Sequence, residues 1–153
     1  MDKEQKRRLG DIIELTMKKI CTELELIERG DATLNYVQCI PNNANPEDWG
    51  QHACHYEFCI DGDKNCVEIR FHAEKDFADH KTLKPKVNKL IKEEFSKITG
   101  PKYRKYKEYY RVDVLDEDYF DTVANDAVEL MLEFYNSFGQ EIQLLIDECK
   151  ETQ

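Results

Sequence analysis

The sequence has 153 residues, of which 41% are apolar and 35% charged, and its formal net charge is −10. This length suits one domain with its own core, and the apolar fraction excludes a disordered chain. No apolar run of about 18 residues is present and the first residues are charged, so we expect neither a membrane span nor a signal peptide. The six cysteines form no C-x-x-C pair, which favours reduced thiols in the cytoplasm over disulfides or a structural zinc site.

The chain begins with a helical pattern. Apolar residues recur at steps of three and four from Leu9 to Ile27, which predicts one amphipathic helix, and Gly30 is a typical helix stop. A short strand is predicted next, over residues 32–40, and a loop follows from Pro41 to Gly50 because prolines and asparagines are frequent there.

Two strands joined by a turn are the clearest feature of the sequence. Apolar and polar residues alternate from Cys54 to Ile60 and again from Cys66 to Phe71, with a turn sequence between them. A tight turn centred on Gly62-Asp63 would place Glu57 opposite Glu68. In this register all the apolar side chains share one face of the hairpin and the polar ones share the other.

The polar face of this hairpin is the first candidate site. Glu57 is predicted to face Glu68, and His55 to face Arg70. Opposed carboxylates repel, so Arg70, a raised pKa or a bound cation should compensate them. Two interpretations follow: a solvated sheet face on which Arg70 and a neighbouring strand balance the charge, or a site in which Glu57 and Glu68 act as metal ligands or as an acid/base pair.

The second half of the chain contains two more helices and a strand. A helix is predicted from about Thr82 to Ile98, a strand from about Tyr103 to Leu115, and a long final helix capped by Asp116, which Gly139 should bend or divide. The order α-β-β-β-α-β-α predicts a single α+β domain over residues 1–153. Its sheet should be four-stranded and mainly antiparallel, with the helices packed on one face.

Charge is strongly segregated along the chain. The net charge is −6 over residues 1–78, +7 over residues 79–111 and −11 over residues 112–153. Within the basic part, bases and aromatic residues alternate from residue 102 to 111, a composition typical of sites that hold phosphates and stack bases. The same run could instead pair with the acidic final helix. The candidate binding residues outside the hairpin are Lys102, Arg104, Lys105, Lys107 and Arg111, together with Trp49 as an interface anchor or a cover over the core.

The order α-β-β-β-α-β over roughly residues 9–115 resembles the core of the PD-(D/E)xK nucleases. In that family an acidic residue on the second strand and an E-x-K motif on the third bind a metal. The matching positions here are Glu57 and then Glu68-x-Arg70. The resemblance implies a nucleic-acid-binding domain that uses a divalent metal, but arginine stays protonated and cannot act as a base in place of lysine.

No phosphate-binding loop, G-x-S-x-G or H-E-x-x-H motif is present, so we assign no catalytic residue, no metal ligand and no cofactor. Our leading hypothesis is a small acidic, non-enzymatic protein that binds another protein, as an inhibitor, an immunity or anti-defence protein, or a chaperone. The final helix is apolar on more than one side, which favours packing on the first helix or a homodimer. The alternative is the nuclease-like domain, active or degenerate, binding nucleic acid with a metal.

Overall fold

The computed structural model of the chain describes residues 2–21, 26–31, 36–41, 54–61, 66–73, 80–99, 107–110 and 117–151. These residues form three α-helices and one five-stranded sheet. The helices are α1 (Lys3–Cys21), α2 (His80–Thr99) and α3 (Phe120–Glu151), and a 3-10 turn (Glu117–Tyr119) precedes α3. The strands are β1 (Leu26–Asp31), β2 (Tyr36–Pro41), β3 (Cys54–Asp61), β4 (Cys66–Ala73) and β5 (Lys107–Tyr110).

The sheet follows the chain without a crossover. Its strand order is β1-β2-β3-β4-β5, and each strand is antiparallel to its neighbours. The α+β class and the antiparallel pairing are therefore confirmed. The strands predicted from Cys54 and from Cys66 and the helix predicted from Thr82 are also confirmed, while β2 and β5 cover parts of the strands predicted before residue 41 and after residue 102.

The first helix is shorter than predicted, and an additional strand follows it. α1 ends at Cys21, and Gly30 does not stop a helix but pairs with Val37 inside the β1–β2 ladder. The order is therefore α-β-β-β-β-α-β-α, and the predicted four-stranded order, on which the nuclease resemblance rested, is not confirmed. The apolar spacing after Cys21 suits a helix or a strand, and pairing with β2 decides the outcome because tertiary contacts override local propensity.

All three helices contribute to one core, which lies against one face of the sheet. Cys21 at the end of α1 has its sulfur 3.5 Å from that of Cys39 on β2. The ring of Phe134 on α3 lies edge-on to Tyr56 of β3, with 5.5 Å between the ring centres. Buried side chains of α2, such as Leu83, belong to the same cluster. The predicted core face of the final helix is confirmed, since the following residues are all buried: Phe120, Val123, Ala127, Met131, Phe134 and Phe138.

The final helix is continuous through Gly139, so this glycine does not divide it. The helix packs closely at this glycine, because a Cβ atom there would lie 3.1 Å from ring atoms of Tyr135, which would have to shift by a few tenths of an ångström. α3 packs against α1, and Val128, Leu132 and Tyr135 belong to the core or pack on it. The second apolar side of the helix is thus covered within the chain, which removes the main argument for a homodimer. Within the described ranges, none of the helices is long and apolar enough to cross a membrane.

Candidate functional site

The hairpin formed by β3 and β4 has a longer connection than predicted. Asp61 pairs with Cys66 at its closed end, so the connection is the four residues 62–65 rather than a two-residue turn at Gly62-Asp63. Every pairing is consequently shifted by two residues. Because side chains alternate between faces with a period of two, an even shift changes the partners but leaves each side chain on its predicted face.

The shift replaces the predicted carboxylate pair by an ion pair. Glu57 lies opposite Arg70 instead of Glu68, and His55 lies opposite His72 instead of Arg70. Glu57 also pairs with Gln38 on the neighbouring strand β2. The register thus separates Glu57 from Glu68, although Glu68 then lies opposite another glutamate, Glu108 of β5.

The carboxylate of Glu57 is the centre of the cluster. Its Oε1 accepts hydrogen bonds from Nε of Arg70, at 2.7 Å, and from an Nη atom of the same guanidinium. Its Oε2 accepts from Nε2 of Gln38 at 3.1 Å and lies 3.1 Å from Nε2 of His55. Burial opposes the charged form of Glu57, but the hydrogen bond with His55 and the charge of Arg70 outweigh it and lower the pKa of Glu57 from 4.5 to about 2.

The same guanidinium also holds the second carboxylate. Nη1 of Arg70 lies 3.5 Å from Oε2 of Glu68, so one cation joins two carboxylates on the same face of the sheet. The structure thus brings Glu57, Glu68 and Arg70 together, as the sequence predicted. Glu68 pairs in register with Glu108 of β5, which adds a further acidic residue to this row of the sheet.

Burial of the cluster is the main difference from the prediction. We expected a solvated face, yet His55 is 0% exposed, Glu57 2% and Glu68 3%, and only the side chains of Arg70 and His72 are about one-third exposed. The hydrogen bonds and the guanidinium compensate much of the cost of removing the carboxylates from water. Polar alternation therefore indicates a shared face, but not that the face is solvated.

Two imidazoles lie beside Glu57, and one of them, His72, was not among the predicted site residues. Nδ1 of His72 is 3.9 Å from Oε2 of Glu57, and the rings of His55 and His72 meet edge-on with their centres 5.2 Å apart. Potential ligand atoms of these three residues all lie within 4.8 Å of one another. The signal in the sequence is that His55-x-Glu57 and Arg70-x-His72 each place two polar side chains on one face of a strand. The predicted register paired His55 with Arg70, so it did not bring His72 opposite His55.

Oε1 of Gln38 and Nδ1 of His55 are buried polar atoms of this cluster that have no hydrogen-bond partner within the described part of the chain. An ionised carboxylate can only accept, so the proton between His55 and Glu57 resides on Nε2 of the histidine. The histidine Nδ1 and the amide oxygen are thus unused hydrogen-bonding positions inside a buried polar site.

The other predicted binding residues belong to the predicted loop before β3 and to the basic run from residue 102 to 111. Trp49, Lys102, Arg104, Lys105 and Arg111 lie outside the residues that the structure describes. Lys107 begins β5, where its backbone pairs with Ile69.

A second candidate surface is the solvent side of α3. Between residues 117 and 149 the chain has nine acidic residues and no lysine or arginine. Eight of the nine are exposed: Glu117, Asp118, Asp121, Glu129, Glu133, Glu141, Asp147 and Glu148. We call this surface the acidic stripe. Glu117 pairs with Arg8 of α1, and Glu148 pairs with Lys86 of α2 at 3.0 Å.

An apolar groove adjoins the acidic stripe near the end of α3. It has a volume of about 380 Å³ and lies between α2 and α3, with Leu90, Leu144 and Leu145 among its lining residues. Leu144 is 58% exposed, one of the few large apolar side chains in the described ranges that face solvent.

Compared with known proteins, the chain matches no family model, no curated protein and no solved structure.

Proposed function

We propose that this chain is a non-enzymatic protein-binding module, of the inhibitor, immunity, anti-defence or chaperone type, whose acidic stripe on α3 holds a basic protein surface. The observation that carries this proposal is the placement of exposed acids along a helix about 48 Å long, without one lysine or arginine between residues 117 and 149. A surface of one sign attracts a partner of the other sign and accelerates its association.

Like charges on the helix support this proposal. Glu129 and Glu133 are four residues apart and both exposed, an arrangement that destabilises a helix by about 0.2–0.5 kcal/mol. A helix selected only for stability would alternate acids with bases at such positions. A basic partner would compensate the charges of Glu129 and Glu133 on binding, which gives this pair of acids a role.

The apolar groove supports a protein partner rather than a polyelectrolyte. An exposed leucine at the edge of a charged surface provides the desolvated contact that binding hot spots need, while charges around it provide orientation. Leu144 occupies this place, with Lys86 and Glu141 among the other residues that line the groove. We expect a partner that inserts an apolar side chain there and lays basic residues along α3.

Charge reversal on α3 tests the proposal. The protein is immobilised and partners from a cell extract are quantified by mass spectrometry, for the wild type and for Glu129→Lys with Glu133→Lys. The matched control is Glu4→Lys with Asp11→Lys, because both residues are exposed on α1 and the net charge changes by the same amount. Surface pairs such as those with Arg7 contribute little to stability, so the control should remain folded.

We expect a partner that the wild type and the α1 control retain, that the α3 variant loses, and that elutes as salt is raised. Retention by all three proteins, or equal loss in both variants, would contradict a binding role for the stripe. Size measurements in low and high salt test the predicted homodimer in the same preparations, and a monomer under all conditions would exclude it.

The second candidate is the nuclease-like domain that binds nucleic acid with a divalent metal. One observation favours it: Glu57, Glu68 and Arg70 do lie together, although the two carboxylates are buried. A cleavage assay with Mg²⁺ or Mn²⁺ and a Glu68→Gln control tests it. Metal-dependent cutting that the variant abolishes would displace the first proposal; no cutting, with nucleic-acid affinity unchanged by Lys105→Glu and Lys107→Glu, would remove the second.

A further inference from the structure

The sheet face opposite the helices brings two imidazoles and one carboxylate to a single point. His55 and Glu57 alternate along β3 with the core residues Tyr56 and Phe58, so they lie on the face away from α3. His72 enters from β4, directly opposite His55. We propose that His55, Glu57 and His72 form a binding site for a first-row transition-metal dication of the Zn²⁺ type.

The separations of the ligand atoms suit such an ion. A tetrahedral zinc with bonds of about 2.0–2.1 Å spaces its ligand atoms roughly 3.3–3.4 Å apart. Oε2 of Glu57 lies 3.1 Å from Nε2 of His55 and 3.9 Å from Nδ1 of His72, and the three potential ligand atoms lie within 4.8 Å of one another. Binding requires a small inward movement of the His72 ring, which the partial exposure of this side chain permits.

The buried atoms without partners fit the same site. Nε2 of His55 would bind the metal after its proton moves to Nδ1, which has no hydrogen-bond partner in the described ranges. This exchange gives up the hydrogen bond from Nε2 to Oε2 of Glu57, and the ion would take the place of that proton between the two atoms. Gln38 already places its amide on Oε2 of Glu57 at 3.1 Å. Rotation of this amide would turn its buried oxygen, which has no partner among described residues, toward the ion as a fourth ligand.

The donor set selects the class of metal. Two imidazoles with one carboxylate suit Zn²⁺, Fe²⁺ or Co²⁺, whereas Mg²⁺ and Ca²⁺ prefer oxygen ligands only. Arg70 holds Oε1 of Glu57 and leaves Oε2 directed at the histidines, so it acts as a positioning residue for the carboxylate. The proposed ion therefore differs in its ligands from the metal that the nuclease resemblance implied, which would use Glu57 with Glu68.

Calorimetric titration of the metal-free protein with Zn²⁺ tests the site directly. His72→Gln removes one ligand at a partly exposed position, so the fold should be retained, and circular dichroism verifies this. His80→Gln is the matched control, because this histidine begins α2 and is not part of the cluster. A parallel titration with Co²⁺ reveals thiolate ligands by their charge-transfer absorption, which matters because Cys59 and Cys66 lie on the same face.

We expect one Zn²⁺ per chain in the wild type and in His80→Gln, at least about tenfold weaker binding in His72→Gln, and no thiolate absorption with Co²⁺. The proposal fails if the wild type binds no Zn²⁺, if His72→Gln binds as tightly as the wild type, or if the cobalt spectrum shows thiolate ligands. This inference goes beyond the proposed function. The capture experiment changes residues of α3 and this one changes β4, so either can fail while the other holds.

Discussion

Replacing Arg70 by methionine should destabilise the protein far more than its partial exposure suggests. The guanidinium makes two hydrogen bonds to Glu57 and an ion pair with Glu68, and both carboxylates are buried. Methionine retains most of the aliphatic packing but cannot carry the charge. The variant would therefore leave two buried carboxylates without the cation that joins them.

The pKa of Glu57 and the burial of its ion pair indicate the magnitude. A pKa lowered from 4.5 to about 2 in the folded state corresponds to roughly 3 kcal/mol of stability at neutral pH. Breaking a buried ion pair by removing one partner typically costs about 3–5 kcal/mol. The pKa shift of Glu57 also contains the hydrogen bond with His55, so the ion-pair figure decides the magnitude, and we expect Arg70→Met to lower the free energy of unfolding by about 3 kcal/mol.

The pH dependence distinguishes this cause from lost packing. In the wild type the folded pKa of Glu57 lies below its unfolded value, so the stabilisation is complete above about pH 4.5 and is lost as the pH falls toward 2. Without the guanidinium, burial is opposed mainly by the hydrogen bond with His55, so the part of the lowered pKa of Glu57 that Arg70 causes is lost. The difference in stability between wild type and Arg70→Met should consequently be largest near neutral pH and shrink as the solution is acidified.

Urea denaturation followed by circular dichroism, at about pH 7 and about pH 3, measures both quantities. Arg8→Met is the matched control, since Arg8 pairs with Glu117 on the surface and its side chain is 49% exposed. We expect the control to lose at most about 1 kcal/mol. A loss in Arg70→Met no larger than in the control, or one that does not depend on pH, would refute the electrostatic account of the cluster.

Two further substitutions test the packing of the core and of α3, and a third tests the apolar groove. Phe134→Ala should cost about 3–5 kcal/mol in urea denaturation, because this fully buried ring touches Tyr56 and its removal leaves a cavity; a loss below about 1 kcal/mol would contradict the proposed core. Gly139→Ala should be destabilising in the wild type, because Tyr135 lies 3.1 Å from the new methyl group. In a Tyr135→Ala background the same substitution should stabilise the protein by up to about 1 kcal/mol. The same sign in both backgrounds would argue against this contact. Leu144→Ser should change stability by less than about 0.5 kcal/mol while weakening capture of the proposed partner, and a large loss of stability would show that this leucine belongs to the core instead.

The apolar periodicity of the sequence predicted which face of the sheet each side chain occupies better than it predicted which residues pair across the strands. The alternation along β3 and β4 correctly separated the core side, with Tyr56 and Phe58, from the polar side, with Glu57 and Arg70. It could not fix the register, because shifting a strand by two residues preserves both faces. The length of the connection decided the pairing, and a turn sequence that contains Gly62 fits a two-residue or a four-residue connection.

The end of α1 and the burial of the polar cluster could not be predicted from the sequence for a different reason. The residues after Cys21 can continue a helix or form a strand, and only the pairing of Leu26–Asp31 with β2 decides between them. The burial of Glu57 depends on several elements at once, since Arg70 of β4 and Gln38 of β2 supply its hydrogen bonds. Such compensation depends on neighbours that are distant in the chain, and a local pattern does not contain them.

The packing of α1 on α3 has a consequence for the order in which the molecule assembles. Strands β1 to β4 each pair with the next strand in the chain, so the sheet can grow in chain order, with α2 formed between β4 and β5. The buried side of α1, which includes Leu9, Ile13 and Met17, has its helical partner only in the last described helix. During synthesis this side is covered only in part, by β1 and β2, until α3 has left the ribosome, which leaves apolar surface of the first helix open to aggregation in an incomplete chain.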